Sequence, residues 1–182
     1  MTEIQERLFE LFNEANEQLF QTDLDNILMG VNERNLCGRL ASYIGNLQDK
    51  YGLNEYYADT EYNRKQNGEI KTILDGNMEE VRINCDLILH SRGESVIEDN
   101  MLAIEMKKSD RPEDHKLSDK IRLRALTKNS FDDIWSNDGE THPEHVCGYE
   151  LGIYMEIDIN NREMILEGYA SGNMIFESSE EF

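Results

Sequence analysis

The chain has 182 residues, with 18 Lys and Arg against 38 Asp and Glu and a formal net charge of −20. That length suits one compact domain with a sizeable core, and the negative balance argues against a protein that coats nucleic acid, because polyanions are repelled unless a cation or a local basic patch intervenes. No window approaches a membrane-spanning apolar run, the first residues alternate charge with apolar side chains, and the three cysteines are odd in number and widely spaced; reduced thiols, a cytoplasmic location and no membrane are expected.

From Glu3 to Gln21 the apolar residues Ile4, Leu8, Leu11, Phe12, Ala15 and Leu19 recur at steps of three and four, which predicts a helix with one buried stripe. A polar turn is expected over 22–30. Asn32 is a good N-cap for a second helix, whose face Leu36, Leu40, Tyr43, Ile44 and Leu47 runs to about Asp49 before Gly52 breaks it. Tyr56 to Tyr62 alternates as a half-buried strand does, and Gly68 and Asp75–Gly76 suggest a long turn or irregular insertion.

Val81 to His90 and Met101 to Lys107 read as two strands able to pair as a hairpin across the stretch 91–100. Beyond Pro112, Leu117, Ile121 and Ala125 sit four apart, with Leu126 extending the same side, and predict a third helix from about Asp114 to Thr127. Val146 to Ile159 and Glu163 to Tyr169 flank the turn pair Asn160–Asn161 as two further strands, and the acidic ending, Glu177 to Phe182, is expected to fray. One domain over 1–182 follows, with an N-terminal helix at 3–21, a core over about 32–170 and an acidic tail at 177–182.

The chemistry concentrates in Asp86, Glu105 and Lys107. Residues two apart on a strand share a face, so Glu105 stands beside Lys107 while Leu102, Ile104 and Met106 point the other way. Asp86 lies among apolar neighbours on the adjacent strand, where an ionised carboxylate needs a partner and a divalent cation suffices. The two carboxylates and the Met106 backbone carbonyl form a candidate Mg²⁺ site, with Mn²⁺ as a substitute. Metal bound there would polarise a phosphoryl oxygen and acidify water; Lys107 would orient or deprotonate that water or stabilise charge at phosphorus. The alternative for these three residues is a buried or edge ion-pair cluster.

Asp86 followed by Glu105-Met106-Lys107, with Glu33 on a preceding helix and an amphipathic helix after, resembles the PD-(D/E)XK nuclease superfamily and its restriction-endonuclease-like fold. The runs 33–43, 61–64 and 86–93, with Asp119-Lys120 and Leu126-Thr127, look like its small stand-alone bacterial members; Cys85 stands where the superfamily name puts proline. The resemblance covers roughly 32–127. It implies a central mixed sheet flanked by helices (an α/β, α+β mixed class), Asp86 and Glu105 as metal ligands, Lys107 as the catalytic lysine and Glu33 as an auxiliary acid. Glu33 has a second explanation, since an acid in the first turn of a helix complements its dipole.

Other candidates are weaker. Glu61 is placed either near the metal or in a surface ion pair with its neighbours, and Arg64 at phosphate or in that same pair. Arg39, His90, Arg92 and Lys108 are candidate phosphate contacts whose ordinary alternative is a solvated or strand-end charge. Eight of the 18 basic residues fall between Lys107 and Lys128 against four acids; the helix carrying Lys116 and Lys120 is therefore either a wall for a phosphate backbone or a solvated face. His142, His145 and Cys147 lack the fourth ligand of a zinc site, and Trp135 with Phe131 and Ile134 reads as packing. The resulting expectation is a Mg²⁺-dependent nuclease acting on DNA, or on RNA. Its rival is a non-catalytic acidic protein that engages a basic partner or imitates nucleic acid; a homodimer or a basic partner supplying the missing positive surface combines the two.

Overall fold

A computed structural model of the chain describes residues 1–61, 85–95, 98–129 and 147–182, together with the backbone of 72–74 and 80–82. Its first element, α1 (Glu3–Leu28), opens with a capping box in which Thr2 and Gln5 bond to each other's backbone N–H. The helix runs beyond the expected end at Gln21, through the residues expected to form a turn. Asp23 does leave helical geometry (φ −111°, ψ 16°), but its carboxylate is gripped by Arg39, Tyr43 and Asn26, and Ile27 returns to the core. The polar run marks a kink, not an end. The second helix, α2 (Glu33–Leu47), starts at Asn32, whose side chain accepts the Asn35 N–H at 2.8 Å, and continues as a short 3-10 turn over Gln48–Tyr51 closed by left-handed Gly52.

Six strands form one mixed sheet, in the spatial order β1 (Tyr57–Thr60), β4 (Leu87–His90), β5 (Asn100–Lys108), β6 (Leu151–Asp158), β7 (Glu163–Ala170) and β8 (Asn173–Glu181). All neighbours are antiparallel except β5 and β6, whose parallel pairing requires a crossover; α3 (Glu113–Leu126) belongs to that connection. β2 (Thr72–Leu74) and β3 (Glu80–Arg82) form a separate two-stranded ribbon. The stretch expected as one strand from Val81 to His90 is thus divided between β3 and β4, while the expected hairpin pairing survives as β4 with β5.

Alternation on the strands sorts side chains onto two faces. Leu102, Ile104 and Met106 of β5, with Leu151, Ile153 and Met155 of β6, pack against Leu8, Leu11, Phe12, Leu36, Leu40 and Ile44 of α1 and α2. On the other face Ala103 and Tyr154 meet Leu123 and Leu126 of α3. The class is therefore α+β, a six-stranded mixed sheet flanked by three helices. No helix among the described residues is long and apolar enough to cross a membrane.

Two expectations are corrected. The residues 177–181, read as a fraying acidic tail, form the end of β8, in register with β7 from Glu163↔Glu181 to Ala170↔Asn173; ladder hydrogen bonds and the packing of Phe176 and Phe182 against the core outweigh the like charges. The buried side of α3 is not Leu117–Ile121, which are 58% and 44% exposed, but Lys116, Asp119, Leu123 and Leu126. The sheet beneath presents Glu105, Glu156 and Glu167, and the basic helix turns its cations towards them.

Candidate functional site

Asp86 immediately precedes β4, one step beyond the pair Leu87↔Ile104, and so stands at the open end of the ladder beside Glu105. Where β4 would have continued, the Asp86 carboxylate takes its place and accepts the Met106 N–H at 2.9 Å. A strand residue's N–H and C=O share one edge, which turns the Met106 carbonyl to the same side. Lys107 reaches across the end of β5, its Nζ 3.8 Å from Asp86 Oδ2 and 2.7 Å from Asp119 Oδ2; the latter is an ionic contact without hydrogen-bond alignment. Arg122 donates to Glu105 Oε1 and, at 3.0 Å, to Asp119 Oδ1. Behind them the buried Cys85 thiol lies 3.2 Å from the Ile104 carbonyl, which it can serve as a donor.

Three carboxylates, Asp86, Glu105 and Asp119, thus face two cations, Lys107 and Arg122. Burial pushes the Asp86 carboxyl above its ordinary value, against the pull of Lys107, the Met106 N–H and a side-chain hydrogen bond with Glu105. Glu105, fully buried, is raised well above the carboxylate range by burial and by Asp86 and Asp119, with Arg122 opposing. Burial alone would lower Lys107, but its carboxylate neighbours outweigh that and raise it, so the ammonium keeps its proton at neutral pH. Glu105 Oε2 is buried without a hydrogen-bond partner. Burial shifts both Asp86 and Glu105 towards their neutral forms and sets their carboxyl groups against each other, an arrangement that a shared proton or a bound cation relieves.

These residues fit a hard divalent cation. Among the described residues no three His, Cys, Asp or Glu side chains gather closely enough to hold a metal by themselves. Mg²⁺, however, is commonly held by one or two carboxylates with waters and substrate phosphate oxygens completing the shell. Asp86, the orphaned Glu105 oxygen and the Met106 carbonyl are donors of that type.

Glu33, in the first turn of α2, meets the C-terminal end of β5, next to Lys107. It accepts the Lys108 N–H at 3.0 Å and the Arg111 guanidinium at 2.8 and 3.3 Å. Burial raises its carboxyl, yet these bonds win and hold it below its ordinary value. It ties α2 to the turn after β5, with Lys107 among its charged neighbours. Glu61 approaches by its backbone, its N–H donating to the Asp86 carbonyl at 3.3 Å from left-handed geometry (φ 49°), while its side chain pairs with Arg34.

The remaining sequence candidates are distributed around the fold. Arg39 is held by Asp23 and Tyr43; with Asn32, Arg34, Asn35 and Gly38 it lines an open concavity of about 430 Å³ at the start of α2, adjoining Glu33. His90, buried, and Arg92 both bind Asp59 at the opposite end of β4 from Asp86, roughly 13 Å away at a strand's rise per residue. Lys108 Nζ donates to the Gly30 carbonyl at 2.7 Å. Lys116 pairs with Glu113 and Glu156 at 2.9 and 2.8 Å, and Lys120 with Glu167. Arg64, His142, His145, Phe131, Ile134 and Trp135 lie outside the described residues.

Sequence reasoning did not assign roles to Asp119 and Arg122, the residues that hold Lys107 and Glu105. Their acid–base spacing of three on α3 was the available signal. No protein-family model, curated protein or solved structure matches the chain, so the functional reading rests on this geometry and the sequence that builds it.

Proposed function

We propose that the chain is a Mg²⁺-dependent nuclease, with Mn²⁺ able to substitute, that hydrolyses phosphodiester bonds of nucleic acid, DNA ahead of RNA. The observation that carries this reading is the convergence, at the open end of the β4–β5 ladder, of Asp86, a buried Glu105 oxygen without a partner, and the Lys107 ammonium. It agrees with the roles that the resemblance to PD-(D/E)XK nucleases implies. Asp86, Glu105 and the Met106 carbonyl would hold the cation. The chemistry such a cation would supply there is polarisation of the phosphoryl group and a lowered pKa of water.

The chain's own residues supply the rest. Lys107 holds its proton and acts as a fixed positive charge and N–H donor towards the oxygens that gain charge at phosphorus. Asp119 fixes the ammonium's position, and Arg122 keeps one Glu105 oxygen occupied so that the other remains available. Glu33 acts as the auxiliary acid by setting Arg111 and the turn after Lys107. The open concavity lined by Arg34 and Arg39 would serve the flanking backbone if those arginines exchange Glu61 and Asp23 for phosphate.

The inward pairing of Lys116, Lys120 and Arg122 favours one further element. A chain of net charge −20 whose basic helix is already neutralised gains from positive surface supplied by a second copy or a basic partner, and the same surface is what a non-catalytic acidic binder would use. Isothermal titration of Mg²⁺ and Mn²⁺ separates the two. The nuclease reading predicts saturable heats that vanish in an Asp86→Ala, Glu105→Ala double variant; equal heats from both proteins would remove the metal site.

A further inference from the structure

The outer side of α3 differs in kind from the side that grips the sheet. Lys116, Lys120 and Arg122 are each paired with a carboxylate of the sheet. Asp114, Leu117, Ile121 and Arg124, at steps of three, four and three along the helix, instead form one outward stripe. Leu117 is 58% exposed and Ile121 44%, although the β2–β3 ribbon also approaches this helix. Asp114 and Arg124 are exposed as well. Arg124 lies over the Tyr169 ring at 5.2 Å, but among the described residues neither it nor Asp114 has an ion-pair partner. Read from its N-terminal end, the stripe runs acid, apolar, apolar, base.

We infer that this stripe is the contact surface of a weak homodimer, in which α3 packs antiparallel against α3 of a second copy. A two-fold axis level with Asp119, midway along the stripe, sets Leu117 against the partner subunit's Ile121 and Asp114 against the partner subunit's Arg124, each contact occurring twice. Steps of three and four are those of a coiled-coil seam. A parallel pair would set acid on acid at one end and base on base at the other. The charges also choose the occupant: a partner of one sign gains at one end of the stripe and loses at the other, whereas a second α3 is matched at both. Each chain carries a net charge of −20, so two copies approach best where the local charge balances. The strand β8, at one end of the sheet, carries Glu177, Glu180 and Glu181 and no basic residue, and does not offer that balance. One helix per copy covers less than the roughly 800 Å² per partner of a standard interface, which makes the dimer a micromolar one. The stripe includes no residue of the Asp86–Glu105 cluster, so it stands or falls independently of the nuclease reading.

Sedimentation equilibrium of the full chain over about 5–300 μM tests this. Reversible monomer–dimer association is expected, with a dissociation constant of about 10–100 μM. Leu117→Lys should abolish it. Asp114→Arg and Arg124→Asp, each alone, bring like charges together at both ends of the contact and should weaken association at least about tenfold. The Asp114→Arg, Arg124→Asp double variant reverses both signs and should dimerise again, which a parallel pair would not do. An equimolar mixture of the two single variants should associate where neither does alone; a substitution that had merely damaged the fold would not be repaired by mixing. A native chain that stays monomeric up to about 300 μM, a dimer that survives Leu117→Lys, or a double variant that associates no better than the single ones would each overturn the assignment.

Discussion

Replacing Glu105 with Gln separates a site held ready for a cation from an ion pair that merely fastens α3 to the sheet. Glu105 is fully buried, with one oxygen on Arg122 and the other without a donor of its own, and its carboxyl neighbours that of Asp86. Gln keeps the shape and an acceptor for Arg122 but surrenders the charge. Burial already shifts Glu105 towards its neutral form, so in the absence of metal Gln exchanges one nearly neutral acceptor for another, a change of about 1 kcal/mol or less. Without metal, Glu105→Gln should therefore change stability by no more than about 1 kcal/mol in either direction. A purely structural pair behaves oppositely, since breaking one from a single side costs about 3–5 kcal/mol.

Urea unfolding in EDTA measures the difference, with an unchanged slope confirming that both proteins unfold alike. Added Mg²⁺ provides the second half of the test. At a hundredfold excess over its dissociation constant a ligand stabilises the folded chain by about 2.7 kcal/mol, roughly 5–10 °C in Tm for a protein of this size. The native chain should show that rise and Glu105→Gln should not. A loss of 3 kcal/mol or more in EDTA, or the same Mg²⁺-induced rise in both proteins, would refute the reasoning.

Two further outcomes test the frame around the site. At Asp23, burial raises the carboxyl but hydrogen bonds from Tyr43, Arg39 and Asn26 more than offset it, so its pKa lies below the ordinary value; the stability this confers is full above about pH 4 and is lost as pH falls through the folded-state pKa. Asp23→Asn should thus cost about 1–3 kcal/mol at pH 7, with the gap to the native chain closing on acidification below about pH 4 in urea melts; a gap constant to pH 2 would contradict it. At Gly168 an added Cβ would stand 2.0 Å from the Phe176 ring, which packs on Phe9 at 4.8 Å. Gly168→Ala should cost about 1–3 kcal/mol by overpacking, read as a lower Tm, and an unchanged Tm would show that the ring moves freely aside.

Local pattern made the centre of the molecule legible. The apolar alternation of Leu102, Ile104 and Met106 located β5 and set Glu105 and Lys107 together on the other face, and Asn32 announced α2. What escaped depends on partners distant in sequence. The polar residues around Asp23 resemble a turn until Arg39 and Tyr43, on the next helix, are seen to hold the kink. The acidic residues 177–181 resemble a tail until β7 offers a ladder. On α3 the spacing of Leu117, Ile121 and Ala125 promised an apolar interior side, and Lys116 and Lys120 promised an outward basic wall; Glu156 and Glu167, contributed by β6 and β7, reverse that orientation. Asp119 and Arg122 escaped for the same reason, because their importance lies in what they grip across the α3–sheet interface.

Cleavage of labelled single- and double-stranded DNA and RNA, by the native chain and by Lys107→Ala, with Mg²⁺, Mn²⁺ or EDTA, tests the central claim most directly. The account predicts cutting that requires Mg²⁺ or Mn²⁺, stops in EDTA and disappears in Lys107→Ala, with DNA cut in preference to RNA. Cutting equal in both proteins would mark contamination, and no cutting above the variant's background on any substrate would contradict the claim that this chain is a metal-dependent nuclease.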